Sequence, residues 1–291
     1  MENGKIEISR KELDLLETLQ SGQTFCWRRL SNRPFFAEDS FPTDWYGATV
    51  ADGIPTMVRQ LKNGTVEWKA SSNVEEHIRQ RFRLEESLSN ILATFPQHSR
   101  LEEAVERRSG LRLVRDPFVQ TLISFITAQQ MGIERVFELQ KKLCQSYGEE
   151  SSIGEKSFYQ FPELTQLSAS TEKQLKELGF GYRSSYIAGT IERLLNTSRP
   201  PNGTYSAVHD TLQEYIGVGN KVADCVALYS LGYLEAIPID TRIRSVVEKH
   251  FPECQAKSYD RMSSKLRKKL GEYPGYVQLY LYVMEESYKE K

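Results

Sequence analysis

The stretch Leu212–Leu228, LQEYIGVGNKVADCVAL, decides the fold. An apolar run, then Gly217–Val218–Gly219, then a polar opening that turns apolar again describes two helices joined by a very tight turn. Gly217 and Gly219 permit backbone geometry closed to other residues and let a second backbone come close. The amides that open the second helix then point outward, where helix N-termini bind anions such as a nucleic-acid phosphate.

This helix–hairpin–helix pattern is weak alone, because any turn between two helices can carry two glycines. Its neighbours sharpen it. Lys221 stands in the first turn of the second helix and Cys225 four residues on, so the two share a face. The dipole at a helix N-terminus disfavours a cation, which makes Lys221 a poor structural ammonium. It suits a lysine that must lose its proton, since desolvation and the dipole both favour the neutral amine. A neutral amine is a competent nucleophile at a sugar C1′. The alternative is a solvated lysine that merely faces phosphate.

Asp240 follows 19 residues later, in Ile237–Pro238–Ile239–Asp240–Thr241. It precedes the apolar spacing Ile243, Val246, Val247 and is a natural N-cap. Capping and catalysis do not compete there. A carboxylate held at a helix N-terminus stays ionised, which suits electrostatic support of an oxocarbenium-like sugar.

Outward from this core, the chain from about Ser99 reads as helix after helix. Pro117–Gln130 is apolar and long enough for a buried helix. Ile133–Tyr147 is amphipathic, with Ile133, Val136, Phe137, Leu139 and Leu143 on one side. Thr171–Leu178 runs into the turn Gly179–Phe180–Gly181, and Thr241–Lys249 and Val277–Glu285 complete the set. Ser198–Gly203 is loop on composition. Before about Pro96, Thr24–Arg29 and Thr65–Ala70 read as strands between turn residues, and Ser31–Asp44 as loop. The expectation is an α+β protein. An N-terminal antiparallel β-rich domain over residues 1–95 precedes a mostly α-helical helix–hairpin–helix domain over residues 96–291.

Composition narrows the functions. The chain has 291 residues, 39% hydrophobic and 26% charged, which is ordinary for a globular protein. Its net charge of −1 neither supports nor excludes nucleic acid, so any DNA must be held by local clusters and backbone amides. The opening MENGKIEISRKELDL has no apolar core of signal-peptide length, and no run approaches the roughly 18 apolar residues of a membrane span. We therefore expect an intracellular protein (cytoplasm or nucleoid, or nucleus in a eukaryote). Cys26, Cys144, Cys225 and Cys254 are far apart, without paired metal-ligand spacing. They are expected as free thiols rather than zinc or iron–sulfur ligands. No phosphate-cradling glycine motif of Walker or dinucleotide type is present.

Gly217–Cys225 followed by Ile237–Asp240 resembles the catalytic core of the helix–hairpin–helix DNA glycosylases, specifically their 8-oxoguanine branch. Four further blocks follow that family's order: Ser21–Trp27 (SGQTFCW), Pro117–Gln130, Gly179–Tyr186 (GFGYRSSY) and Tyr273–Tyr282 (YPGYVQLYLY). The resemblance implies a bifunctional glycosylase and AP lyase acting on double-stranded DNA with a damaged base. Lys221 would attack C1′ and form a Schiff base, and Asp240 would support the sugar charge. Gly217, Gly219 and Lys221 would meet phosphate at the hairpin. The Gly22 carbonyl would accept from N7–H of the lesion, where normal guanine presents a lone pair. Gln278 would read the Watson–Crick edge, and Cys225 and Tyr282 would sandwich the flipped ring. Tyr182 would wedge the duplex, Arg135 and Arg183 would read the orphaned cytosine, and Gln130 would fill the gap. Arg242 stands where a phosphate-binding histidine is common, Gln130 where asparagine is common, and Tyr282 in place of phenylalanine. The helix ending the chain would close the base pocket. A monomer and no cofactor are expected; a structural monovalent cation on the hairpin carbonyls is one that the sequence does not show.

Two rivals remain. A non-catalytic DNA-binding module needs only the hairpin and basic clusters such as Lys265–Lys269, which read equally as a solvated helix face. A monofunctional alkylpurine glycosylase shares the aspartate but generally lacks the hairpin lysine. Neither explains Lys221 and Asp240 together.

Overall fold

The computed structural model describes residues 1–31, 44–50, 53–197 and 200–286. Positions 32–43 of the expected loop Ser31–Asp44, and 198–199 of Ser198–Gly203, lie outside the described residues.

Alternating burial builds the N-terminal sheet. In Val66–Ala70, Val66, Trp68 and Ala70 are buried while Glu67 and Lys69 are not, the period of a half-buried strand. Five strands, β1 (Glu2–Ile6), β2 (Arg28–Arg29), β3 (Tyr46–Val50), β4 (Ile54–Gln60) and β5 (Val66–Ala70), form one antiparallel sheet in the order β1-β5-β4-β3-β2. The expected strand Thr24–Arg29 shrinks to its last two residues. The reason is side-chain competition for the backbone: Thr24 Oγ1 accepts from the Cys26 amide at 3.2 Å and donates to Asp116, so the segment folds into a buried turn.

The helices follow the expected spans closely. Phe118–Thr127 is buried along every residue from Gln120 to Thr127. Ile133–Tyr147 buries Val136, Phe137, Leu139 and Leu143, while Ile133 stays half-buried. Thr241–His250 and Pro274–Glu286 match their expected runs within a few residues. One feature of the helical part is unannounced by sequence. A hairpin of β6 (Glu150–Ile153) and β7 (Lys156–Tyr159) packs Ile153 and Phe158 against Met57 of β4.

One buried apolar cluster runs from the sheet (Ile6, Val58, Trp68) into the helices (Phe125, Leu139, Val226, Tyr280). A second cluster gathers Ile243, Val247, Met262 and Leu266 around Val277 and Leu281. Pro274–Glu286 thus contributes to both cores and closes the space between them. The basic run of Tyr259–Lys269 is locally engaged: Lys265 donates to the Glu253 and Gln255 carbonyls, and Lys269 pairs with Glu253 at 2.7 Å. Among the described residues no helix is long and apolar enough to cross a membrane.

Candidate active site

The hairpin takes the shape its glycines demand. Tyr205–Gln213 ends in a turn where the Val218 amide donates to Tyr215 O at 3.0 Å, and Asn220–Val226 begins directly after Gly219. Gly217 has φ +80°, and a Cβ there would lie 2.3 Å from the Tyr186 ring. The first bond of the second helix runs from the Ala223 amide to Gly219 O at 3.0 Å. The amides of Asn220, Lys221 and Val222 therefore precede the ladder and face outward. Gln129 Nε2 donates to Gly217 O at 3.0 Å, which leaves that carbonyl less available to a cation.

Behind the turn opens a cleft of about 720 Å³, within the size range of small-ligand sites. Its walls bring together Gly22, Gln130, Gly219, Lys221, Asp240, Arg242 and Tyr282, residues drawn from the whole length of the chain. Lys221 is half-buried, its Nζ 5.2 Å from the centroid of the Phe125 ring. Cys225, one turn on, is buried beneath it. Burial pushes the Cys225 thiol up to about 11, against the opposing charge of Lys221, so it remains a neutral neighbour of the amine. Asp240 caps Thr241–His250 as expected, its Oδ1 accepting from the Ile243 amide at 2.8 Å, and its other oxygen is left for the cleft.

Gly22 is placed by a web around Gln23, whose Nε2 donates to Ser21 Oγ (2.8 Å), Arg112 O (2.7 Å) and Thr18 O (3.2 Å). Gln23 Oε1 accepts from the Val114 amide at 2.9 Å. The web holds Gly22 at φ +79°, with Tyr282 across a gap that a Cβ would narrow to 3.6 Å. Tyr282 accepts from Arg242 Nη1 at 2.9 Å, and that guanidinium lies 5.0 Å from the centre of its ring.

Gln278, Arg183, Tyr182 and Arg135 lie off the cleft wall, whereas Gln130 stands on it. Gln278 is 3% exposed, donating to Pro238 O at 3.3 Å and accepting from the Tyr229 hydroxyl at 3.5 Å. Arg183 is buried, its Nε donating to Gln129 O at 2.9 Å, and its guanidinium stacks 4.4 Å from the Tyr182 ring centre. Tyr182 is 48% exposed at the tip of its loop, and Arg135 is exposed beside Gly179. Gln130 is exposed at the rim with φ +50°, a strained setting for a residue other than glycine.

Sequence reasoning missed several wall residues: Phe25, Phe125, Met131, Ile133, Arg244 and Tyr259. Tyr259 opens a helix that was read only through its basic C-terminal run, and nothing in its local pattern shows that its ring reaches the cleft. Asp116 was also missed. Only its place before Pro117 and the buried helix hints at a cap, and its partner Arg81 lies 35 residues away.

Comparison with known proteins places this geometry. Residues 5–122 match the 8-oxoguanine DNA glycosylase N-terminal domain, and residues 123–272 match the HhH-GPD superfamily of base excision DNA repair proteins. An N-glycosylase/DNA lyase of Saccharomyces cerevisiae is 28% identical, covering 97% of this chain and 86% of that protein. The fold is shared with the Clostridium acetobutylicum 8-oxoguanine glycosylase/lyase in complex with double-stranded DNA containing cytosine opposite 8-oxoguanine. There the TM-score is 0.82 at 23% identity, over 96% of this chain and 93% of that one. It is also shared with the 3-methyladenine DNA glycosylase of Archaeoglobus fulgidus, with TM-score 0.77 at 16% identity over 98% and 99%. The backbone alone therefore does not choose the lesion, but the matched domains hold Gly22, Lys221, Asp240 and Arg242 of the site, and this chain belongs to the HhH-GPD superfamily of base excision DNA repair proteins.

Proposed function

We propose that the protein is a bifunctional DNA glycosylase and AP lyase that excises 8-oxoguanine from duplex DNA. The observation that carries this reading is the meeting of Lys221 and Asp240 in one cleft whose far wall is Gly22 and Tyr282. With the damaged nucleotide flipped into the cleft, the Lys221 amine attacks C1′ as the base leaves with the glycosidic electron pair and takes up a proton. The nitrogen, now bonded to C1′, gives up one proton, and its lone pair opens the sugar ring to an iminium that keeps one N–H while O4′ takes up a proton. Loss of a C2′ proton then expels the 3′ phosphate, nicking the strand. Asp240 offsets the positive charge that develops on the sugar. The Gly22 carbonyl accepts from N7–H of the lesion and meets a lone pair on guanine, a difference of about 1–3 kcal/mol when dry.

The remaining roles follow from position. The hairpin amides after Gly219 hold a phosphate, and Arg242 at the cleft mouth contacts the backbone. A base held in the cleft stacks between Tyr282 and Cys225. Gln278 reads the base edge only after giving up Pro238 O. Tyr182 enters the duplex from its exposed loop, Gln130 fills the vacated position, and Arg135 and Arg183 meet the opposite base, Arg183 by releasing Gln129 O. Because Lys221 supplies the nucleophile, the reaction needs no cofactor, and one chain holds the complete site. The protein works inside the cell, where its substrate lies and its four buried cysteines stay reduced.

The test is borohydride trapping on a duplex with one 8-oxoguanine opposite cytosine, beside a guanine control and duplexes with other lesions. A covalent adduct on 8-oxoguanine, none on guanine, and no loss in excess chelator is the expected result. Binding without trapping on any lesion would replace the enzyme with a DNA-binding module.

The hairpin yields a paired prediction. Gly217→Ala must adopt a left-handed φ and meets Tyr186, so it should cost about 2–4 kcal/mol in thermal melts. A Cβ at Gly219 meets nothing within 4 Å, and φ there is −102°. Gly219→Ala should melt as wild type does yet bind the duplex about tenfold more weakly, because its methyl stands where phosphate approaches the amides. Equal affinities for wild type and Gly219→Ala would remove the hairpin from the DNA interface.

A further inference from the structure

A second cavity of about 420 Å³ shares Asn220 and Tyr259 with the cleft and is otherwise lined by Tyr205, His209 and Arg267 among others. Beneath it is Asp224, fully buried three residues after Lys221, in a position the reaction as written does not use. Its carboxylate is not solvated; it is held by side chains. The Tyr205 hydroxyl donates to one oxygen and the Tyr259 hydroxyl to the other, the latter at 2.5 Å. His209 Nε2 lies 3.7 Å away, and the ring's Nδ1 faces the Gln213 amide nitrogen at 3.1 Å, so Nδ1 accepts and Nε2 carries the proton towards Asp224. Burial lifts Asp224 to about 6 although all four neighbours, Arg267 included, favour its charge.

Tyr259 differs from Tyr205 in one respect. Its hydroxyl also accepts from the Ile239 amide at 3.0 Å, and Ile239 is the residue before Asp240. The Ile237 carbonyl stands 3.1 Å from the same hydroxyl as a rival acceptor. A phenol has a single proton, and the shorter, charge-assisted bond to Asp224 takes it. The nucleophile's helix and the segment carrying the catalytic carboxylate are thus joined through one oxygen atom, from Lys221 along the helix to Asp224, across Tyr259, and through the Ile239 amide to Asp240. Tyr259 lines both cavities.

We propose that Tyr259, oriented by Asp224, is a positioning residue that sets the placement of Asp240 relative to Lys221. This rests on the reaction proposed above. A misplacement of about 1 Å between catalytic groups costs on the order of a hundredfold in rate without touching affinity. Tyr205 reaches the same carboxylate but makes no bond towards Asp240, so it is an internal control.

The experiment is single-turnover excision of 8-oxoguanine with duplex affinity measured alongside, for wild type, Tyr259→Phe, Tyr205→Phe and Asp224→Asn. Tyr259→Phe is expected to slow excision at least tenfold with duplex Kd within twofold of wild type. Tyr205→Phe is expected to keep the wild-type rate within twofold. Asp224→Asn keeps the volume and loses the charge; it should show the Tyr259→Phe split at smaller amplitude, and it stands in where Tyr259→Phe does not fold. Equal losses in the two phenylalanine variants, or a wild-type rate in both Tyr259→Phe and Asp224→Asn, would overturn the bridge while leaving the reaction intact. A wild type silent on this duplex would overturn the functional reading and the bridge with it.

Discussion

Lys221→Gln is expected to bind the 8-oxoguanine duplex within a few-fold of wild type, to release base at least about a thousandfold more slowly, and to give no trapped adduct. Glutamine matches the lysine stem in length and keeps the half-buried wall filled. Its amide nitrogen, delocalised into the carbonyl, neither attacks C1′ nor forms an iminium. The ground-state loss is small, since contact of the Lys221 ammonium with the Phe125 ring is worth about 0.5–1 kcal/mol. A thousandfold in rate is about 4 kcal/mol of barrier, so the transition-state effect dominates. What remains comes from Asp240 and the cleft acting on a water molecule, as residual rates persist when one member of a catalytic set is removed. The same assay separates the two enzyme classes that share this fold. Undiminished base release with loss of trapping alone would make Lys221 a lyase residue and Asp240-assisted hydrolysis the glycosylase step.

The site was legible wherever chemistry sits on a local pattern. GVG followed by Lys221 reads as hairpin and nucleophile because turn geometry and helix start are set within ten residues. Asp240 reads as an N-cap because capping requires one residue type at one place. Gly22 was found only through resemblance to SGQTFCW. Its physical reason, four hydrogen bonds made by Gln23 to the Thr18–Ser21 turn and to the distant Arg112–Val114 segment, is a tertiary fact with no trace in spacing. The same holds for the strand expected over Thr24–Arg29. Its aromatic and β-branched composition is that of a strand, yet Thr24 gives its hydroxyl to Asp116, and tertiary bonding overrides propensity. The β6–β7 hairpin escaped because ESSI and KSFY lack alternation strong enough to stand out between helices, and they are stabilised by packing on Met57 rather than by pattern. Tyr259 escaped for a related reason: its partners Asp224 and Ile239 lie 35 and 20 residues away.

Asp116→Ala is expected to be the most damaging single change to stability away from the reaction. Asp116 sits just before the buried helix Phe118–Thr127, and its carboxylate is 2% exposed. One oxygen accepts from Arg81 Nε at 2.7 Å and the other from Thr24 Oγ1 at 2.5 Å. Arg81, whose side chain is 5% exposed, otherwise has the Thr49 carbonyl at 3.0 Å and the face of Trp27, 5.4 Å from its guanidinium. Removing the carboxylate strands a buried cation and an acceptor-less hydroxyl, which costs about 3–5 kcal/mol, a drop in Tm on the order of 10 °C. It also loosens the turn that presents Gly22, so excision should fall with stability. The opposing possibility is that the pair matters only as packing, because burying two charges cancels most of their attraction. The double variant Arg81→Met/Asp116→Leu decides between them in chemical denaturation. If the cost of Asp116→Ala is that of an orphaned charge, the double variant, with no charge left to orphan, melts closer to wild type than Asp116→Ala does. If the double variant is instead worse than Asp116→Ala, the ion pair itself contributes net stability, and it fixes the seam between the sheet and the helices by attraction.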